Sequence, residues 1–287
     1  MKENYVPLVR LGPGSQIESE SLDYLPMPKE MNTYRPPILP EPEEIAQVDG
    51  ARRILQAVHT LLDEAASQGT TGSISLAGLA QADLALVNEV LGEGEASAVI
   101  KTHRKAVQIQ VQESVFSGVW RLITTQGDTI IEDRIEVAPV PALFRQTAAD
   151  DSQNEPGHWQ GDVPLNIQNA PAIVDEIRHH VAQWQPGQTP HVVNLTLLPV
   201  TPEDIAFLDH QLGTGRVLML SRGYGNCRIS NTCLPNCWRV IYYNSFDKVI
   251  LNTVEVIDMP EVAMAAPEDL RDSCERLHEV IAYVEAA

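Results

Sequence analysis

The chain has 287 residues, of which 44% are apolar, and a formal net charge of -19. This length accommodates two ordinary domains, and the apolar fraction is sufficient for a core in each. Nucleic acids and anionic membranes are bound by clustered Lys and Arg, and 20 basic residues scattered among 39 acidic ones exclude both as partners. The acidic balance instead favours a protein partner with a basic segment.

The sequence predicts neither secretion nor membrane insertion. The longest apolar runs, such as 192–200, are too short to cross a bilayer, and residues 1–5 lack the pattern of a secretory signal. We therefore expect a cytoplasmic protein. Three of the four cysteines lie close together in sequence, which argues against a disulfide framework.

Residues 1–49 predict an extended, Pro-rich N-terminal arm. Six prolines lie within 24–44, and this composition favours a polyproline-like conformation over a helix. Tyr5, Leu25 and Met27 are apolar enough to pack on a folded part, so we expect a partly docked arm.

Residues 50–150 predict a first α+β module. Apolar residues at helical spacing over 51–66 indicate an amphipathic helix. A short strand at 73–79 and a second helix follow, and we expect Gly92 to end that helix as a left-handed C-cap. Apolar and polar residues then alternate, which predicts an antiparallel meander. Its expected strands are 107–111, 120–123 and 130–137.

Residues 151–287 predict a second module with the same order of elements, joined to the first by the polar stretch 148–161. Its first helix begins near Pro171, where proline is tolerated. The second helix has a capping signal at Thr201-Pro-Glu-Asp204 and ends at Gly213. The remaining expected elements are strands at 192–198, 238–243 and 249–256 and a C-terminal helix at 267–284.

Several motifs occur twice in the same order, which indicates an internal duplication. The repeated blocks are Ser73-Ile-Ser-Leu-Ala-Gly-Leu79 with Asn194-Leu-Thr-Leu-Leu-Pro-Val200, Leu91-Gly-Glu-Gly94 with Leu212-Gly-Thr-Gly215, Trp120-Arg121 with Trp238-Arg239, and Ile135-Glu-Val137 with Val254-Glu-Val256. The predicted fold class is therefore α+β, with two tandem homologous modules that superpose. The superposition should pair Trp120 with Trp238, Gly92 with Gly213, and Pro141 with Pro260. We expect both tryptophans to be buried.

No motif identifies a catalytic centre. The paired glycines at 92–94, 213–215 and 223–225 are not followed by the third glycine and long helix of a dinucleotide site. Nucleophile-elbow, metalloprotease and Walker motifs do not occur either. We therefore expect a protein without enzymatic activity.

Cys227, Cys233 and Cys237 are the candidate ligands for a metal or an iron–sulfur cluster. Their spacing differs from that of the cysteine pairs in structural zinc sites, so partly buried thiols without a bound metal are the favoured interpretation. If Trp238 faces the core, strand alternation predicts that Cys237 is accessible. Cys227 follows a glycine turn and is also expected to reach a partner. We predict at least one reactive thiol in this trio.

Six motifs in the two modules resemble the HupH/HyaF/HoxQ family of NiFe-hydrogenase accessory proteins. They are Leu91-Gly-Glu-Gly-Glu95, Ser117-Gly-Val-Trp-Arg121, Val193-Asn-Leu-Thr196, Gly223-Tyr-Gly225, Met259-Pro-Glu-Val262 and Ala265-Ala-Pro-Glu-Asp-Leu270. The resemblance implies a non-catalytic maturation factor that has no cofactor. Its expected partner is the precursor of the hydrogenase small subunit, which carries iron–sulfur clusters and a twin-arginine export signal.

Two points stay open at the level of sequence. One is an alternative function, in which Cys227, Cys233 and Cys237 hold a transient iron–sulfur cluster or metal and relay it to the client. The other is the participation of a second accessory chaperone.

Overall fold

The computed structural model describes residues 49–104, 106–154, 156–223 and 225–286. These residues form two compact units. The first unit combines the described residues up to Phe144 with those from Val262 onwards, and the second spans Arg145–Glu261. The predicted N-terminal arm lies outside the described residues, except for its last position, Asp49, which begins a helix.

The described chain contains six α-helices, one short 3-10 helix and ten β-strands. In chain order the regular elements are α1 (Asp49–Gln68), β1 (Gly72–Ser75), α2 (Gln81–Leu91), β2 (Ala96–Lys101), β3 (Val107–Glu113), β4 (Val119–Gln126), β5 (Thr129–Val137), α3 (Ala142–Ser152), α4 (Ala170–Gln183), β6 (His191–Asn194), α5 (Pro202–Leu212), β7 (Val217–Ser221), β8 (Asn226–Asn231), β9 (Cys237–Tyr243), β10 (Val249–Val256), the 3-10 helix (Glu261–Ala263) and α6 (Pro267–Ala286).

The first unit contains an antiparallel sheet with the strand order β1-β5-β4-β3-β2. Helix α1 buries an apolar stripe whose members recur every three or four residues, which is the spacing of one helix face. Leu55, Val58 and Leu62 on this stripe are fully buried with Ile135 and Val137 of β5. The core of this unit therefore lies between α1 and one face of the sheet.

The C-terminal helix α6 packs in the first unit, although its place in the sequence assigns it to the second module. Leu270, Leu277 and Ile281 are buried in the same cluster as the stripe of α1. Leu270 fits because the facing residue, Gly118, has no side chain; a Cβ there would lie 2.1 Å from the Leu270 Cδ2 atom. The position of α6 is therefore set by complementary packing and not by the order of the elements along the chain.

The second unit contains an antiparallel sheet with the order β7-β8-β9-β10-β6. Helices α4 and α5 cover one face, with Ile177, Leu208 and Val254 in the core. The predicted cap of α5 is confirmed, because Thr201 Oγ1 accepts a hydrogen bond from the Asp204 backbone at 3.1 Å and Asp204 bonds back to Thr201.

The fold class α+β is confirmed, and the sequence of elements from α1 to β5 recurs as α4 to β10. Three strands, β2, β7 and β8, and helix α3 were not predicted from the sequence. The predicted strands at 73–79 and 192–198 end earlier, at Ser75 and Asn194, because a turn follows each of them. The predicted linker begins within α3, and the boundary between the units also falls in this helix.

Gly92 and Gly213 end α2 and α5 with positive φ angles of 54° and 69°, as a glycine C-cap requires. Their ψ angles of -164° and 169° differ from the predicted left-handed helical conformation. This combination of a positive φ and an extended ψ is accessible almost only to glycine. The backbone is therefore extended directly after each helix.

Candidate functional site

The paired tryptophans are structural. Trp120 and Trp238 are each 1% exposed. The indole nitrogens donate hydrogen bonds to the carbonyl oxygens of Ala138 at 3.0 Å and Asp258 at 3.1 Å. Each bond ties β4 or β9 to the segment that follows the last strand of its unit, where Pro141 and Pro260 are also buried. Neither tryptophan is available to a partner.

The second glycines of the two Leu-Gly-x-Gly motifs are explained by close packing. A Cβ at Gly94 would lie 2.1 Å from the Ser114 carbonyl oxygen, and one at Gly215 would lie 2.0 Å from Asn231 Nδ2. Both glycines also donate backbone hydrogen bonds to the end of the neighbouring strand, at 2.7 and 2.9 Å. Each Leu-Gly-x-Gly motif therefore allows the segment after a helix to pack closely against the end of a strand.

Two of the three candidate cysteines are inaccessible. Cys227 and Cys237 are each 1% exposed, and burial raises the pKa of both thiols to about 12. Cys237 does face away from Trp238, as strand alternation predicts, but α4 and α5 cover that face. The expectation that Cys237 is accessible, and that Cys227 reaches a partner, is therefore wrong because this sheet is buried on both sides at these positions.

Cys233 is the member of the trio that is partly exposed. It lies in the loop between β8 and β9, and its backbone N–H donates to the Leu212 carbonyl at 2.9 Å. Burial and the nearby Asp151 carboxylate raise the pKa of its thiol. In the described part of the chain no group of three or more His, Cys, Asp or Glu residues is arranged to hold a metal. The reactive thiol remains a prediction, now for Cys233 alone.

An arginine occurs at the same place in each unit; it is partly exposed in the first unit and buried in the second. In the first unit Arg121 on β4 donates two hydrogen bonds to Asp133 on β5, at 2.9 and 2.6 Å, and another to Asn88 on α2. In the second unit Arg239 on β9 donates to Asn252 on β10 at 2.7 Å and lies 3.4 Å from Asp209 on α5.

The carboxylate and the amide have exchanged places between the two units. Around Arg121, the strand supplies the carboxylate and the helix supplies the amide. Around Arg239, the helix supplies the carboxylate and the strand supplies the amide. Burial raises the pKa of Asp209 to about 6 and lowers that of Arg239, and the attraction between the two opposes both shifts. Each arginine thus keeps one negative partner, which a buried cation requires.

A small pocket lies beside Arg239 and Asp209. Its cavity volume is about 10 Å³, which is room for about one water molecule and far below the about 300–1,000 Å³ of clefts that bind small molecules. Asp209 Oδ2 and Arg239 Nη2 have no hydrogen-bond partner among the described residues. We expect ordered water to satisfy these atoms, so the pocket is not a substrate site.

Among the described residues, the second unit exposes more large apolar side chains than the first. The sequence repeat aligns Leu76 with Leu197, but the structural equivalent of Leu76 is Leu195, because the two backbone N–H groups donate to the matching carbonyls of Asp133 and Asn252, each at 2.9 Å. Leu76 and Leu195 are 4% and 2% exposed, whereas Leu197 and Leu198, in the turn after β6, are 81% and 37% exposed. Other large apolar side chains exposed in the second unit are those of Val163, Leu165, Val192, Phe246, Val249 and Ile250.

Sequence reasoning missed this surface, although one signal was present. The connection between β6 and α5 spans residues 195–201 and is longer than the connection 76–80 between β1 and α2, and it contains Leu197-Leu198 directly before Pro199. An added leucine beside a turn is a sign of apolar surface that the fold does not need. Large contiguous apolar surfaces on proteins mark places where other molecules bind.

None of the described helices combines the length and the apolar composition that crossing a membrane requires.

A protein-family model matches this chain twice, at residues 48–155 and again at residues 167–284. The family is described as HupH hydrogenase expression protein, C-terminal conserved region. The hydrogenase expression/formation protein HoxQ of Cupriavidus necator is 51% identical over 97% of both chains. HupH of Rhodobacter capsulatus, of the same description, is 44% identical over 96% of this chain and 97% of its own.

More distant similarity extends to the hydrogenase-1 operon protein HyaF of Escherichia coli, which is 30% identical over 100% of this chain and 99% of its own. Among solved structures, the hydrogenase expression protein HupH from Thiobacillus denitrificans is 26% identical, with a TM-score of 0.38, over 40% of this chain and 95% of that one. The resemblance noted in the sequence motifs is thus confirmed by full-length similarity, and the chain belongs to the HupH family of hydrogenase expression and formation proteins.

Proposed function

We propose that this protein is a non-catalytic assembly chaperone in NiFe-hydrogenase maturation. Its client is the precursor of the iron–sulfur small subunit, which it binds in the cytoplasm before export through the twin-arginine signal. The family supports a role in hydrogenase formation, and the small-subunit client follows from the resemblance of the motifs.

The exposed leucines of the second unit are the observation that carries a binding function. Leu197 and Leu198 lie on the surface in the turn after β6, whereas Leu195, directly before this turn, contributes to the core as its counterpart Leu76 does in the first unit. A chaperone needs such apolar surface to hold an unassembled protein. The two equivalent arginines do not offer an alternative binding site, because Arg121 and Arg239 are engaged by their own Asp and Asn partners.

We also infer that the two units arose by duplication of one module. The support is the repeated order of elements, the two matches of one family model and the equivalent tryptophan hydrogen bonds. In this view the second unit acquired the surface that binds the client after the duplication.

The alternative function, in which Cys227, Cys233 and Cys237 hold or relay an iron–sulfur cluster, has less support. Cys227 and Cys237 are buried on opposite faces of one sheet, so their sulfur atoms do not converge. Anaerobic purification followed by ultraviolet–visible spectroscopy and iron analysis distinguishes the two functions. A chaperone is colourless and free of iron, whereas a relay protein has charge-transfer absorption that is lost in Cys→Ser variants.

Affinity capture tests the chaperone function. The tagged protein is expressed with the small-subunit precursor in cells without other hydrogenase accessory proteins, which also tests whether a second chaperone is required. We expect the precursor to co-purify and the large subunit, as the control, not to do so. If the precursor is captured neither in the absence nor in the presence of the other accessory proteins, the proposed function is contradicted.

A further inference from the structure

We infer that the exposed apolar end of the second unit binds an extended polypeptide segment that carries alternating apolar and basic side chains and adds as a strand to the edge of β6. We call this surface the β6 end; its members are Leu165, Val192, Leu197, Leu198, Phe246, Val249 and Ile250. The inference deepens the proposed function and rests on it in one respect, namely that the segment belongs to the client.

Hydrogen bonds connect the parts of the β6 end. Thr196 Oγ1 accepts a bond of 2.8 Å from the Asn252 backbone, which places the Leu197 turn beside the first residues of β10. On the other side, Asn169 Nδ2 donates to the Pro199 carbonyl at 2.6 Å. This second bond ties the loop that carries Leu165 to the segment after Leu198. The side chains of Leu165, Leu197 and Leu198 therefore lie on neighbouring segments next to β10, and Val192 lies farther along β6, opposite Glu255.

The β6 strand offers a backbone edge at this surface. It pairs with β10 on one side, and no other described strand pairs with it. An edge strand presents N–H and C=O groups that an extended peptide can pair with, while pockets for alternate side chains supply the specificity. Val192 in the middle of β6 is 47% exposed and would contact such a side chain.

A β-bulge and an ordered turn hold the adjacent hairpin. Val249 pairs with Tyr243 and Leu251 with Tyr242, so Ile250 is the extra residue of a bulge and is 55% exposed. The equivalent hairpin of the first unit has the same bulge at Ile131, which is 54% exposed, so the bulge redirects this side chain in both units. At the tip of the hairpin, Asn244 Oδ1 accepts bonds from the backbones of Phe246 and Lys248 at 2.9 and 3.0 Å. The turn that presents Phe246, 80% exposed, is thus pre-organised.

Carboxylates around the β6 end select for basic side chains. Glu176 on α4 lies 2.9 Å from His191 of β6, which places a carboxylate directly beside the edge. Asp162 and Asp247 are exposed in the loop of Leu165 and in the hairpin turn. Lys248 is the neighbouring cation, and the whole chain carries a net charge of -19. An apolar segment with interspersed Lys or Arg complements this surface in both respects.

Synthetic peptides test the inference without the client. The probe is a peptide of about six residues, a usual strand length, in which valine and lysine alternate. Its matched control has glutamate in place of lysine. Fluorescence anisotropy with the full-length protein should detect the lysine peptide and give at least about tenfold weaker binding for the glutamate peptide, because of like-charge repulsion.

Variants of the protein locate the binding surface. The double variant Leu197→Ser/Leu198→Ser should bind the lysine peptide about tenfold more weakly, because apolar anchors dominate such interfaces. The control, Ile130→Ser/Ile131→Ser, alters the exposed pair on the equivalent hairpin of the first unit, where both residues are more than half exposed, and should leave binding unchanged. Circular dichroism and urea denaturation confirm that both variants are folded.

N-methylated peptides test the strand addition. Alternate N–H groups of an extended strand point to opposite edges, so methylation of one set should abolish binding and methylation of the other set should preserve it. Equal binding of the two N-methylated peptides overturns strand addition. The β6 end is overturned as the site if the lysine peptide does not bind the wild type, or if it binds Leu197→Ser/Leu198→Ser as tightly as the wild type. If the peptides bind as expected but the precursor is not captured, the docking surface stands and the small-subunit client is wrong.

Discussion

Glu113 is a partly buried carboxylate at the end of β3. Burial raises its pKa to about 7, helped by Glu95 and Asp269 and opposed by the hydrogen bond from the Gly118 backbone. The folded state thus binds this proton more tightly than the unfolded chain, whose pKa is near 4.5. Stability is therefore lost as the pH rises from about 4.5 through about 7.

Glu113→Gln should remove this loss of stability at higher pH. The amide oxygen of the glutamine can still accept the hydrogen bond from the Gly118 backbone, which is 3.2 Å long in the wild type. We expect the variant to be more stable than the wild type by up to about 3 kcal/mol at pH 8 and nearly equal to it at pH 4. Urea denaturation across this pH range measures the difference. A difference that does not change with pH would contradict the assigned pKa.

The exchanged partners of Arg121 and Arg239 predict a compensating pair of substitutions. Asp133→Asn removes the carboxylate that faces Arg121 and should cost about 1–3 kcal/mol of unfolding free energy. Adding Asn88→Asp rebuilds the arrangement seen around Arg239, with the carboxylate on the helix, and should recover most of this loss. Denaturation of both single variants and the double variant gives the coupling energy. Additive costs would show that the two positions do not share Arg121.

Truncation of the buried tryptophans should be severe. Trp120→Ala and Trp238→Ala each remove a fully buried ring and its hydrogen bond, so each should cost about 3–5 kcal/mol. Chemical denaturation measures the cost, and Trp159→Ala, which alters a partly exposed side chain, is the control. Losses of only a few tenths would mean that the rings do not anchor their units.

The C-terminal helix α6 completes the core of the first unit. Leu277 is 0% exposed against the stripe of α1, so Leu277→Ala should destabilise the protein by about 2–5 kcal/mol. Tyr283 on the same helix is 46% exposed, and Tyr283→Ala should change stability by less than about 0.5 kcal/mol. Hydrogen exchange monitored by mass spectrometry should show that Leu277→Ala increases exchange in α1 as well as in α6. Exchange confined to α6 would mean that the two helices are not coupled.

At the scale of elements, local patterns predicted the helices better than the strands. The apolar stripes of α1, α4 and α6 span several turns, and a long stripe indicates its period clearly. Strands β7 and β8 are short, and β8 is buried along most of its length. A strand covered on both faces does not alternate in polarity, so its sequence has no period to detect.

At the scale of the whole molecule, the charge of -19 should steer the client. If the client carries a twin-arginine signal, its association should slow as salt is added, because opposite charges attract over a screening length of about 8 Å at physiological ionic strength. Stopped-flow association with the small-subunit precursor at low and high salt measures the effect. A precursor whose paired arginines are replaced by glutamine should depend less on salt. An association rate that is equal at both salt concentrations contradicts steering.

The sequence by itself determined the repeated order of elements, the helix caps and the family, because these depend on residues a few positions apart or on whole motifs. Only the tertiary structure decided which surfaces are buried. Cys237 alternates with Trp238 as a strand requires, yet both are 1% exposed because both faces of the sheet are covered at this point.

The same distinction applies to the leucines of the repeated block that begins at Ser73. The sequence aligns Leu76 with Leu197, yet the hydrogen bonds of the strands match Leu76 to Leu195, and both of these leucines are buried. Leu197 lies in the turn after β6 and is 81% exposed. Burial depends on which distant side chains pack against a residue, and local periodicity contains no information about those contacts.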